Sequence, residues 1–174
     1  MRGCIHIYTG DGKGKTTAAT GLSVRFAGSG GNVLFSQFMK DGSSGEIAVL
    51  KNIPHITVKF CEKCFGFSFQ MNEEQKKQAA LYYSDFFDDV IRQVVEGGYG
   101  LLILDEIIST YNLNFIPQEK LVDFLKNKPQ ELEVVLTGRN PAQELVDLAD
   151  YISEIKKIKH PFDAGIPARD GIEQ

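Results

Sequence analysis

Gly10-Asp11-Gly12-Lys13-Gly14-Lys15-Thr16-Thr17 puts three glycines, two lysines and two threonines into eight consecutive residues, a combination suited to holding a polyphosphate. Glycine lets successive backbone N–H groups turn inward as a concavity for an anion. A helix beginning at the Lys-Thr pair would add the partial positive charge of its N-terminus. Lys15 is then placed to reach phosphate oxygens and the Thr16 hydroxyl to ligate Mg²⁺. Taken alone, the same residues could be a glycine-rich turn with two solvated lysines. The apolar run before them and the helical pattern after them favour the phosphate reading. The loop departs from the standard G-x-x-x-x-G-K-[ST] pattern, because three residues separate Gly10 from Gly14 and Thr9 stands in the first glycine's place. A shortened loop with a second lysine, Lys13, is expected to seat a triphosphate differently from an ordinary kinase or GTPase.

Leu101-Leu102-Ile103-Leu104 runs into Asp105-Glu106. A carboxylate at the end of such a strand can hold Mg²⁺ directly or through water. Two acids ending a strand are common by themselves; beside a phosphate loop they become metal candidates, so Thr16, Asp105 and Glu106 form the expected metal set.

These residues need a scaffold that brings strand ends together. Short apolar runs alternate with longer helical patterns, the signature of βαβ units and a parallel sheet covered on both faces. Strands are expected at 4–9, 32–38, 56–60, 101–105, 133–136 and 151–155, with 101–105, the most hydrophobic, central. Helices are expected at 16–27, at 72–96 with Asn72 as N-cap, from the first turn at Pro117 to about 126, and after Pro141. Residues 39–45, 62–71 and 160–174 read as irregular.

The chain has 174 residues, 43% of them hydrophobic, enough for one well-cored α/β domain over 1–174. Its 19 basic and 23 acidic residues give a net charge of -4 and form no basic stripe, which argues against a nucleic-acid partner. No apolar stretch reaches the roughly 18 to 20 residues that cross a bilayer, and the first residues already read as a strand. A cytoplasmic location is expected. Cys4, Cys61 and Cys64 are too few for a disulfide framework and fit a reducing compartment.

With three further segments, the loop resembles the P-loop ATP:corrinoid adenosyltransferases. The loop segment extends through Ala18-Ala19; Gln37-Phe38-Met39-Lys40 leads to Gly45-Glu46; Gly66-Phe67-Ser68-Phe69 follows. The C-terminal match holds Thr137-Gly138-Arg139-Asn140, Asp147-Leu148-Ala149-Asp150 and Lys159-His160-Pro161-Phe162-Asp163-Ala164-Gly165-Ile166. The similarity runs from about Ile5 to the end, and the tail is its most specific part.

The resemblance implies a P-loop NTPase-like (RecA-like) fold and an alkyl transfer, in which a Co(I) corrinoid attacks C5′ of ATP and triphosphate leaves. It implies ATP held with its γ-phosphate deep in the loop, Mg²⁺ (or Mn²⁺), a flavoprotein or flavodoxin-type reductase, and a homodimer. A metal nucleophile needs no general base, which agrees with the absence of a Ser, Cys or His constellation. By position, Gly10, Asp11, Gly12, Lys13, Gly14, Lys15, Thr16 and Thr17 bind triphosphate, Lys13 and Lys15 stabilise it as it leaves, and Glu106 with Thr16 holds the metal. Arg25 is a further nucleotide contact, and Phe67 and Phe69 flank the corrinoid's lower face, where apolar rings displace the axial ligand. Phe69 stands where many members have Trp. From spacing alone, Phe65-x-Phe67-x-Phe69 is one face of a buried strand. Larger members carry a helical N-terminal extension over the corrinoid; here the chain starts at the first strand, so lid closure is expected from elsewhere, such as a partner subunit.

Two other functions use the same loop: a nucleoside or small-molecule kinase, and a non-catalytic ATP-gated corrinoid carrier. Cys61-Glu62-Lys63-Cys64 has zinc spacing but no second pair, and reads as a surface loop. His6 reads as a core or sheet-face histidine, and Glu73-Glu74 and Asp88-Asp89 as solvated helical acids.

Overall fold

Short runs of aliphatic and β-branched residues pair in one parallel sheet in the computed structural model, which describes residues 2–63, 65–66 and 70–172. The strands are β1 (Ile5–Thr9), β2 (Val33–Gln37), β3 (Ile56–Phe60), β4 (Leu101–Asp105), β5 (Glu133–Thr137) and β6 (Tyr151–Glu154), in the order β3-β2-β4-β5-β1-β6. Every pairing is parallel. Between them run α1 (Lys15–Gly28), α2 (Gly45–Leu50), α3 (Glu73–Glu96), α4 (Ile107–Asn112), α5 (Gln118–Asn127) and α6 (Gln143–Leu148). β4 lies inside the sheet and is buried along its whole length, as its unbroken apolar run requires.

Alternation along the strands divides the core into two layers. Ile5, Ile7, Leu34, Leu102, Leu104, Val134 and Leu136 face α3, α4 and α5. Val33, Phe35, Leu101, Ile103 and Val135 face α1 and α2 through Ala19, Ala27, Ile47 and Leu50. Helix α3 buries Ala79, Tyr83, Phe87, Val90 and Val94, a stripe at helical spacing. Its first turn is closed by a capping box, with the Gln75 amide donating to Asn72 Oδ1 at 2.8 Å and the Asn72 amide donating to Gln75 Oε1 at 2.9 Å. Such a cap is worth about 1 kcal/mol.

The observed elements correct the expected ones in detail. Strand and helix ends shift by a residue or two; the helix after Pro141 begins at Gln143, and Pro117 caps α5 rather than lying inside it. Helices α2 and α4, six residues each, add to the expected elements and are too short to show a 3.6-residue period in the sequence. The C-terminal tail is not wholly irregular: Pro161–Ala164 form a 3₁₀ turn.

Parallel pairing sends the carboxyl ends of β1, β2, β4 and β5 to one edge. The register sets Gln37 opposite Asp105 and Tyr8 opposite Thr137. Polar residues at those four ends therefore meet at the place where open α/β sheets hold ligands.

Candidate active site

The loop between β1 and α1 lies against the segment that leaves β6. The Gly12 amide donates to Ile155 O at 2.8 Å, and the Ile155 amide donates to Thr9 O at 2.8 Å. A Cβ on Gly10 would stand 2.3 Å from Ile155 O, and one on Gly12 2.7 Å from it; glycine is required at both. Gly14 has φ 121, a conformation that L side chains rarely adopt. The Lys157 amide donates to Asp11 Oδ1 at 2.9 Å, and that bond holds the Asp11 carboxyl below its ordinary value. Asp11 thus ties the loop to the chain after β6.

Lys15 opens α1 and is 8% exposed. Its ammonium spans the loop, donating to Gly10 O and Gly12 O at 2.8 Å each. Burial and then the neighbouring Arg139 lower its pKa, against the opposing pull of Glu106, Asp11 and Asp105.

Asp105 is the hub of the sheet edge. It is fully buried, and its Oδ1 accepts from the hydroxyls of Thr16 at 2.9 Å and Thr137 at 2.6 Å. Oδ2 accepts from Gln37 Nε2 at 3.1 Å and Lys40 Nζ at 3.2 Å. A buried carboxylate is tolerated only when it is paired and hydrogen-bonded in this way. The next residue, Glu106, adopts φ 62 as N-cap of α4, a left-handed conformation that costs about 1–2 kcal/mol in a residue with a side chain. Its amide donates to Thr137 Oγ1 at 2.9 Å, its carboxylate accepts from Ser109 Oγ at 2.8 Å, and it lines the cleft.

This oxygen set suits a hard divalent cation shared with phosphates. No group of three or more His, Cys, Asp or Glu that could hold a metal exists among the described residues. Mg²⁺ is instead usually held by one or two carboxylates, waters and substrate phosphates, and Thr16, Asp105 and Glu106 offer that number. Lys40 already places one positive charge against two of these oxygens. Gln37 Oε1 is buried with no hydrogen-bond partner.

The cleft above the loop has a volume of about 1030 Å³; Lys13, Thr16, Thr17, Lys40, Glu46 and Glu106 line it, with Asp170 and Ile172 of the tail. A smaller cavity of about 250 Å³ is lined by Lys13, Arg139, His160 and Phe162, among others. The tail therefore contributes to the walls of both cavities.

Of the residues expected from sequence, the structure brings together Gly10 through Thr17, Asp105 and Glu106. Arg25 is the exception. It lies in the last turn of α1, exposed; ten residues beyond Lys15, it is about 15 Å along the helix axis from the loop, and it lines neither cavity. The direct partner of Thr16 is Asp105, not Glu106. Phe67, Phe69 and Cys64 lie outside the described residues, while Cys61 is buried. His6 sits on the sheet face against Glu133 and stacks on Tyr151 with ring centroids 4.5 Å apart. Sequence reading gave no individual role to Gln37, Lys40, Glu46 or Thr137, although all four lie in the matched segments; the ends of β2 and β5 were the available signal.

A family model described as ATP:corrinoid adenosyltransferase BtuR/CobO/CobP matches residues 1–174. The corrinoid adenosyltransferase of Escherichia coli (strain K12) is 34% identical over 173 residues, covering 99% of this chain and 86% of that protein. Corrinoid adenosyltransferase CobA of Salmonella typhimurium (strain LT2) is 35% identical over 173 residues, with the same shares covered. Among solved structures, EssC (ATPases 2 and 3) from Geobacillus thermodenitrificans aligns with a TM-score of 0.48 at 14% identity, covering 98% of this chain and 36% of that one. The fold assignment rests on the sheet order and the loop, not on that alignment.

Proposed function

Since the chain belongs to the ATP:corrinoid adenosyltransferase family, we propose that it transfers the 5′-deoxyadenosyl group of ATP to a Co(I) corrinoid, in the synthesis or salvage of adenosylcobalamin. The cobalt electron pair forms the Co–C5′ bond, the C5′–O bond breaks, and triphosphate leaves with the bonding pair. No proton is taken from the nucleophile, so the chain needs no general base.

The observation that carries this reading is that Lys13, Lys15 and Thr16 of the loop line a cleft of about 1030 Å³, with Thr16 bonded to the buried Asp105 carboxylate. Preorganised amides and ammonium groups aimed at developing charge lower a barrier without reorganising during the step. Lys13, Lys15 and residues 10–17 hold the triphosphate and orient C5′ outward. Thr16 and Asp105, with Glu106 at the cleft, would hold Mg²⁺ or Mn²⁺, which when bound would supply charge neutralisation to the leaving group. Phe67 and Phe69 wall the corrinoid's lower face. A flavodoxin-type reductase supplies the electron, and the protein works as a cytoplasmic homodimer. None of the described helices is long and apolar enough to cross a membrane.

Anaerobic incubation with ATP, Mg²⁺ and a Co(I) corrinoid tests the reading. An adenosylated corrinoid supports it; ADP would indicate a kinase, and binding without turnover a carrier.

A further inference from the structure

The Lys40 side chain occupies the place where the proposed metal would bind. It leaves the turn after β2, where Met39 has φ 57, and reaches back over the sheet edge. Its Nζ stands 3.2 Å from Asp105 Oδ2 and 3.3 Å from Thr16 Oγ1. Both atoms belong to residues of the expected metal set. The Lys40 side chain is 32% exposed, against 0% for Asp105, so its ammonium meets the cleft while its partner does not.

An ammonium and a divalent ion cannot share these oxygens. Mg²⁺ binds its ligands at about 2.0–2.1 Å, within the volume that Nζ fills, and two cations a few ångströms apart repel strongly. We propose that Lys40 is a built-in placeholder for the divalent cation: it neutralises Asp105 and holds Thr16 before loading, and is displaced when the metal enters with the nucleotide. Once displaced, the ammonium remains tethered at the wall of the cleft that Lys13 and the loop also line. There the triphosphate offers it the partner of highest charge. Metal and nucleotide binding are therefore coupled: the metal alone leaves the evicted ammonium only single carboxylates of the cleft wall such as Glu46 and Glu106, whereas the metal-nucleotide complex brings a more highly charged anion to receive it.

The proposal rests on the metal reading of Thr16 and Asp105, and the test separates the two. Mn²⁺ is titrated into the whole protein, with and without ATP, and free Mn²⁺ is followed by electron paramagnetic resonance. Lys40→Met is expected to tighten binding of Mn²⁺ alone by about tenfold or more, as removal of a like charge at this distance allows, and to reduce the gain in Mn²⁺ affinity that ATP confers. Lys40→Gln, which keeps an N–H donor to Asp105, is expected to act in the same direction and serves if the methionine variant does not fold. Lys40→Arg keeps the native pattern. Thr16→Val should abolish Mn²⁺ binding in the presence of ATP beyond that of ATP alone. If Thr16→Val has no effect, the metal reading and the proposal fall together. If Thr16 matters but neither Lys40→Met nor Lys40→Gln changes binding of Mn²⁺ alone, only the placeholder role is overturned.

Discussion

The Thr16 hydroxyl donates to Asp105 Oδ1 at 2.9 Å, joining the first turn of α1 to the end of β4. The same oxygen accepts from Thr137 on β5, so one buried carboxylate fastens loop, helix and two strands. Asp105→Asn would set an NH₂ group against one donor pair, either Thr16 and Thr137 or Gln37 and Lys40. The variant is expected to lose about 1–3 kcal/mol of stability together with Mg²⁺ affinity. Glu106→Gln should weaken Mg²⁺ dependence with an unchanged melting temperature. Thermal melts beside Mg²⁺ titrations check both, and an Asp105→Asn protein that melts like the native one contradicts the hub.

Lys15→Met should remove most turnover, by about 10²–10³-fold for a lost charge-stabilising donor, without unfolding the chain. The folded-state pKa of Lys15 lies below its ordinary value of 10.5 because burial disfavours the charged form. Burying that charge therefore opposes folding at neutral pH and opposes it less as pH rises through the folded-state pKa toward 10.5. The native protein should accordingly gain stability relative to Lys15→Met on raising the pH. Paired melting curves across alkaline pH measure this; a relative loss would contradict the sign.

Gly12→Ala places a methyl group 2.7 Å from Ile155 O and should break the bond between the Gly12 amide and that oxygen. A cost of about 1–3 kcal/mol and weaker ATP binding by calorimetry are expected. Gly21 in α1 has open space around it, so Gly21→Ala should instead stabilise by about 0.5–1 kcal/mol and leave ATP binding alone.

Phe67→Ala and Phe69→Ala should impair the reaction that starts from a Co(II) corrinoid with a reductase far more than the one that starts from chemically prepared Co(I). Apolar rings that expel the axial ligand ease reduction, whereas attack on C5′ depends on how the loop places ATP. Equal loss of both activities would make these rings ordinary packing.

What could be read from sequence was local. The phosphate loop lies within eight residues, the Asn72 cap and Gln75 are three apart, and β4 shows as one apolar run. The Asp105 hub draws its donors from positions 16, 37, 40 and 137, and only the register of the parallel strands sets them side by side. Lys40 stood in a matched segment, yet its direction depends on the left-handed turn at Met39, which no spacing reveals. For Arg25 the match gives a position in the chain but no direction in space: the rise of α1 carries that residue away from the loop.

The central claim is that bond breaking occurs at C5′ of an ATP whose triphosphate sits in the loop. It is tested most directly by anaerobic turnover of ATP labelled with ¹⁴C in the adenosine and ³²P in the γ-phosphate, with a Co(I) corrinoid as acceptor. The account predicts equimolar ¹⁴C in the corrinoid and ³²P in inorganic triphosphate. Appearance of ¹⁴C in ADP, with ³²P transferred elsewhere, would contradict it.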